Sequence, residues 1–137
     1  MLDLLEGAGV PPERVYIGHA DDNATLPELL ALARRGCNLL LTIWGITNPR
    51  TIGWSLPALP KYHSPGLVAG LVAEGHASQV LVSIDYAAGN ENPFYDVEGR
   101  NYLYMFTHVL PALTKMGVAD RDIERIMRDN PRRMLEV

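Results

Sequence analysis

The chain has 137 residues, 47% of them hydrophobic and 20% charged, which is enough for one domain with a real core. Its net charge of −4 argues against a general nucleic-acid binder, which presents a basic face.

In chain order, residues 2–9 read as the end of an amphipathic helix, closed by Gly7 and Gly9. Pro11-Pro12-Glu13-Arg14 is a connector, and Val15-Tyr16-Ile17-Gly18 reads as a short buried strand ending in the polar run His19-Ala20-Asp21-Asp22-Asn23. Leu26, Leu29, Leu30 and Ala33 share one face of a helix over 26–35, stopped by Gly36. Residues 37–43 form a second buried strand, and 44–63, with Pro49, Pro57 and Pro60, a long loop. A helix over 65–74 is expected to take Ser64 as its N-cap and Pro65 at its first position. A third strand over 80–84 ends in Asp85, and a second long loop covers 86–100. A helix over 102–116 ends at Gly117, and a last one over 119–129 is capped near Asp120 and halted before Pro131. Arg125, Arg128, Arg132 and Arg133 alternate with acidic residues there, as on a solvated helix face.

The lone cysteine, Cys37, cannot make an internal disulfide, and Asp3 and Glu6 stand where a secretion signal would be basic and then apolar. No apolar run is long enough to span a bilayer, so a soluble, cytoplasmic protein is the expectation. Strand, loop and helix recur three times, which implies a parallel sheet with crossover helices. Three strands leave open edges and poorly covered faces, so the chain reads as part of a larger fold.

In parallel α/β folds ligands bind where the strands end, and polar residues stand at two of these three ends. His19 follows the first strand, with Asp21 and Asp22 behind it, and Asp85 follows the third. An imidazole and a carboxylate from neighbouring strand ends can hold a divalent metal. On spacing alone a second reading stands beside this one: Asp21 or Asp22 caps the helix at Leu26, and His19 makes a local hydrogen bond.

Val15-Tyr16-Ile17-Gly18-His19-Ala20-Asp21-Asp22 resembles the sixth-strand motif of the phosphotriesterase family, within the amidohydrolase superfamily. Gln79-Val80-Leu81-Val82-Ser83-Ile84-Asp85 resembles its eighth-strand motif. The segments Val109-Leu110-Pro111-Ala112-Leu113, Gly117-Val118 and Asn130-Pro131-Arg132-Arg133-Met134-Leu135 are similar to its closing helices. The resemblance implies an α/β fold that is a partial (β/α)8 TIM barrel, strands 6 to 8 with their helices, over residues 1–137. It implies that His19 is the last histidine ligand of a two-metal centre, often two zinc ions bridged by a hydroxide and a modified lysine. It also implies that Asp85 binds the other metal, contacts the hydroxide and accepts its proton, and that Asp22 passes the proton outward.

Two departures qualify this. The relay's histidine at the end of the seventh strand is replaced within Thr42-Ile43-Trp44, which returns Asp22 towards a structural role. The family's paired histidines of the first strand, its bridging lysine and its fifth-strand histidine have no counterparts, so the chain is expected to begin in the helix after the fifth strand and to be truncated.

The other candidates are weaker. His63, His76 and His108 read as surface or packing residues, and Cys37 as a small buried hydrophobe. Trp44, Trp54, Tyr86, Phe94 and Tyr95 either line an apolar pocket or pin the long loops by packing. The function expected is a metal-dependent hydrolase of lactone, ester or phosphoester bonds, with a lactone preferred, inactive as this chain alone. The alternative is a non-catalytic fragment or half-barrel module that needs a partner chain. The implied partner is a small-molecule ester or lactone substrate, with neither nucleic acid nor membrane; association into a homo-oligomer stays open. His19 and Asp85 are expected to project from neighbouring strand ends into one cleft.

Overall fold

The computed structural model describes residues 1–22, 24–42, 44, 63–84 and 103–136. Helix α1 (Leu2–Gly7) leads through a 3-10 turn at Pro12–Arg14 into β1 (Tyr16–Ile17), α2 (Leu26–Arg34) and β2 (Asn38–Leu41). Helix α3 (His63–Ala73), a 3-10 turn at Ala77–Gln79 and β3 (Val80–Val82) follow, and then α4 (Leu110–Lys115), α5 (Asp120–Glu124) and α6 (Asn130–Leu135). No helix among the described residues is long and apolar enough to cross a membrane.

The three strands form one parallel sheet in the order β1-β2-β3, as the alternating pattern predicts. Tyr16 pairs with Asn38, and Leu39, Leu40 and Leu41 pair with Val80, Leu81 and Val82. Leu39, Leu41 and Val80 are almost fully buried, because helices lie against the sheet. The first strand differs from expectation: Tyr16 and Ile17 are half-buried, since among the described strands β1 has a neighbour on one side only.

Helix α2 starts as a capping box. Thr25 donates to Glu28 from both its backbone N–H, at 2.8 Å, and its hydroxyl, at 2.6 Å. These bonds hold the Glu28 carboxyl below its usual range. Gly36, at φ +101, ends the helix as expected. Helix α2 packs closely on α3 at Gly70, where a Cβ would fall 2.5 Å from Leu26 Cδ2.

Helix α3 begins at His63, two residues before the predicted start. Ser64 therefore lies inside the helix instead of capping it, and its hydroxyl turns to a partner on another element, Asp21.

Pro131 acts differently from prediction, whereas Pro111 lies inside a helix as expected. The last helix does not stop before Pro131: Asp129 and Asn130 keep helical φ and ψ, and α6 carries on to Leu135. A proline inside a helix removes one N–H donor and crowds the carbonyl four residues back. Here the turn before each proline widens. Leu110 donates to Met105 O ahead of Pro111, and Asn130 donates to Arg125 O ahead of Pro131, five residues back in each case. The expected cap near Asp120 is also displaced, since the N-cap is Ala119 and its carbonyl accepts from Asp122 and Ile123.

The N-terminal ends of the strands are closed by amides and one guanidinium. Fully buried Asn130 donates from Nδ2 to Ala77 O at 2.8 Å and Val80 O at 2.6 Å. Gln79 Nε2 donates to Ala33 O and Cys37 O, and Arg133 donates to Asn38 Oδ1 and Ser78 O. Arg125, Arg128 and Arg132 keep to the solvated face, pairing with Asp122, with Glu124 and Asp129, and with Glu136, but Arg133 anchors α6 to the sheet.

Asn130→Ala removes two buried hydrogen bonds, and Ala77 O keeps the backbone N–H of Val80 whereas Val80 O loses the amide, so it is expected to lower stability by about 1–3 kcal/mol. Urea unfolding followed by circular dichroism measures this, and a change under about 0.5 kcal/mol would contradict the role given to Asn130.

Candidate functional site

At the C-terminal end of β1 the chain leaves the extended conformation. His19 takes φ +51, in the left-handed region that non-glycine residues seldom occupy. The turn is closed by Asp22 N–H donating to His19 O at 3.0 Å. Ala20 N–H then rejoins the sheet by donating to Leu40 O at 3.0 Å. The imidazole is thus displaced from the ladder to an exposed position just beyond the strand.

The next residue is the most enclosed of the polar run. Asp21 has 0% exposure, and its two oxygens reach two different elements. Oδ1 accepts from Thr42 N–H at 2.8 Å, one residue past β2, and Oδ2 accepts from Ser64 Oγ–H at 2.6 Å, in the first turn of α3. Charge-assisted hydrogen bonds of this kind are the strong ones, and a buried carboxylate requires them. Asp21 therefore does not cap α2; Thr25 and Glu28 start that helix without it.

Thr42 links this carboxylate to the histidine. Its Oγ1 lies 2.6 Å from His19 Nδ1, so His19 has a partner just past the end of another strand, 23 positions on. Asp22 is half-buried, and its Oδ1 is shielded from solvent with no hydrogen-bond partner among the described residues.

Asp85 lies outside the described residues, as do Trp54, Tyr86, Phe94 and Tyr95. The strands leading to His19 and Asp85 are not neighbours, as expected, but flank β2, because the sheet runs in simple sequence order. Among the described residues no three His, Cys, Asp or Glu side chains gather closely enough to hold a metal ion.

The weaker candidates resolve mostly into structure. His76 Nδ1 is 2.8 Å from Gln79 Oε1, within the bonds that close the bottom of the sheet. His108 stacks on Tyr104 with ring centres 4.4 Å apart. Cys37 is buried, and desolvation raises its thiol pKa, which disfavours a nucleophilic role. Trp44 is 1% exposed and donates from Nε1 to Leu41 O at 2.9 Å, so it belongs to the core. One edge of it also borders a cleft of about 330 Å³ shared with Pro65, Tyr104, His108, Lys115 and Met116. None of His19, Asp21 and Asp22 lines that cleft.

The sequence pattern assigned Thr42 and Ser64 no part in supporting His19. The available signal was a hydroxyl residue closing an apolar strand, Asn38-Leu39-Leu40-Leu41-Thr42, which would leave a buried polar group in need of a partner.

The sequence profile of the phosphotriesterase family matches residues 1–135. Among curated relatives, an N-acetyltaurine hydrolase of Dictyostelium discoideum is 24% identical over all of this chain and 37% of its own length. A phosphotriesterase homology protein of Mycobacterium tuberculosis is 29% identical over 93% of this chain and 38% of its own. The structure of the phosphotriesterase from Mycobacterium tuberculosis superposes with a TM-score of 0.78 at 28% identity, over 98% of this chain and 40% of that one. The chain thus spans about two fifths of the length of the relatives it matches, and its three parallel strands with their helices are part of a (β/α)8 barrel.

Asp21→Ala removes the acceptor of both a backbone N–H and a hydroxyl, so it is expected to destabilise by about 2–4 kcal/mol, more than Ser64→Ala, which removes one donor. Chemical denaturation of both variants tests the order; equal effects would show that Asp21 does not join the two elements.

Proposed function

We propose that this chain, which belongs to the phosphotriesterase family, forms part of a metal-dependent hydrolase of lactone, ester or phosphoester bonds. The observation that carries this reading is the position of His19, an exposed imidazole set just past the C-terminal end of β1 and held through Nδ1 by Thr42. In a (β/α)8 barrel catalytic groups stand at that end of the strands. The donor chemistry fits a divalent ion, since His19 offers an imidazole nitrogen, a common ligand of such ions.

In this reading His19 and Asp85 hold the metal, which on the family pattern is a pair of zinc ions. Such ions lower the pKa of water and polarise a carbonyl or phosphoryl oxygen. Asp85 orients the attacking water and accepts its proton as general base. On the family pattern Asp22 would pass the proton outward, but with Thr42-Ile43-Trp44 in place of the relay histidine that role falls back towards a structural one. The aromatic residues of 44–63 and 86–100 favour an acyl chain and hence a lactone. The hydrolase named for N-acetyltaurine adds an acyl amide to the bonds to be tried.

The test is to load the full-length protein with zinc and assay lactones, aryl esters, aryl phosphotriesters and N-acyl amides. Turnover of one class, abolished by chelation, is expected; no turnover of any class would refute the proposal. Asp85→Asn should lower kcat by about a hundredfold or more, with a smaller change in metal content. An unchanged kcat would assign Asp85 a structural role. The 137 residues alone are expected to show no turnover and weak zinc binding, because two protein ligands fall short of the roughly three that catalytic zinc sites use. Tightly held metal with turnover in that chain, measured by mass spectrometry and the same assays, would refute this.

A further inference from the structure

We propose that Thr42 is a positioning residue for His19: its hydroxyl accepts a hydrogen bond from Nδ1–H and so directs Nε2 to the metal. The proposal rests on the reading of His19 as a ligand and goes beyond it, because it names the group that sets the tautomer and orientation of the ring.

Nδ1 and Oγ1 are 2.6 Å apart, so one of the two atoms donates to the other. If the threonine donated, the neutral ring would carry its proton on Nε2, and neither nitrogen would have a lone pair for a metal. If Nδ1–H donates, Nε2 becomes the ligating atom. Ligating histidines ordinarily give their second ring N–H to such an oxygen, which fixes the tautomer and raises ligand basicity.

His19 is exposed, and its φ of +51 takes it out of the strand, so the strand ladder does not orient the side chain. Thr42, by contrast, is held on three counts. It is 4% exposed, its backbone N–H is fixed on Asp21 Oδ1 at 2.8 Å, and its β-branched side chain has restricted χ1 freedom. The hydroxyl is therefore a rigid reference point, and Asp21 sets it through the backbone, not through the hydroxyl itself. A side-chain substitution at Thr42 consequently leaves the bond between Asp21 and the backbone in place.

The experiment uses the full-length protein and zinc alone. Thr42→Val keeps the branched shape and removes the hydroxyl, while Thr42→Ser keeps the hydroxyl. Zinc affinity, measured by chelator competition, is expected to fall about 10- to 100-fold in Thr42→Val and to return close to the wild-type value in Thr42→Ser. In the zinc-loaded wild-type protein with nitrogen-15-labelled histidine, the His19 Nδ1–H proton should be visible and protected from exchange. In Thr42→Val it should exchange rapidly. A folded Thr42→Val that binds zinc within about twofold of wild type, with an unchanged Nδ1–H signal, overturns the proposal. Should that variant fail to fold, the wild-type spectrum decides: a His19 ring protonated on Nε2, or lacking a protected Nδ1–H, overturns it. His19→Ala separates the two ideas. Undiminished zinc affinity there overturns the ligand role and the positioning role with it, whereas lost affinity there beside an unaffected Thr42→Val overturns only the positioning role.

Discussion

A carboxylate removed from water has to be answered by donors, and Asp21 finds two of them 21 and 43 residues further along the chain. Its oxygens join the turn after β1 to the end of β2 and to the first turn of α3. Three pieces of backbone are thereby set at the C-terminal end of the sheet by one side chain. The arrangement depends on charge and geometry together: a neutral amide in place of Asp21 would offer only one acceptor oxygen for two donors. It is also consistent with the left-handed His19, since the chain turns two residues before Asp21, with the carboxylate in the interior and the imidazole outside.

The two ends of the sheet are built on different chemistry. At the N-terminal ends, Asn130, Gln79 and Arg133 answer backbone carbonyls that the strands and turns leave over, and the bonds run from the closing helices back to the sheet. That end serves cohesion. At the C-terminal end, the buried carboxylate and its donors support an exposed imidazole, and Asp22 keeps an acceptor oxygen with no partner among the described residues.

The parts of the fold legible in the sequence were those with a strong local cause. Apolar runs at 15–18, 37–43 and 80–84 marked the strands, and leucine spacing with Gly36 marked α2. The features that misled were governed by distant partners. Ser64 had the appearance of a cap because Pro65 follows it, yet Asp21 claims its hydroxyl. Pro131 had the appearance of a stop, yet packing of Asn130 and Arg133 against the sheet keeps the helix going, and the strain is taken up by a wider turn. At the candidate site His19 and Asp22 could be singled out from their place after an apolar strand, but the supporting Asp21–Thr42 bond could not. Local spacing carries no record of a contact made across 21 residues.

Relatives at 24% and 29% identity differ from this chain at most positions, and such divergence has to leave the strand ends undisturbed. The bonds around Asp21 suggest how this chain meets that requirement. Trp44 is tied to Leu41 through its indole N–H, and Ser64 is tied to Asp21, so the residues bordering segment 45–62 on both sides are fixed to the sheet independently of what lies between them. The same carboxylate fixes Thr42 and, through it, His19. Substitutions within 45–62 are thereby separated from the bonds that place the imidazole, as in folds that carry variable connections on a fixed sheet.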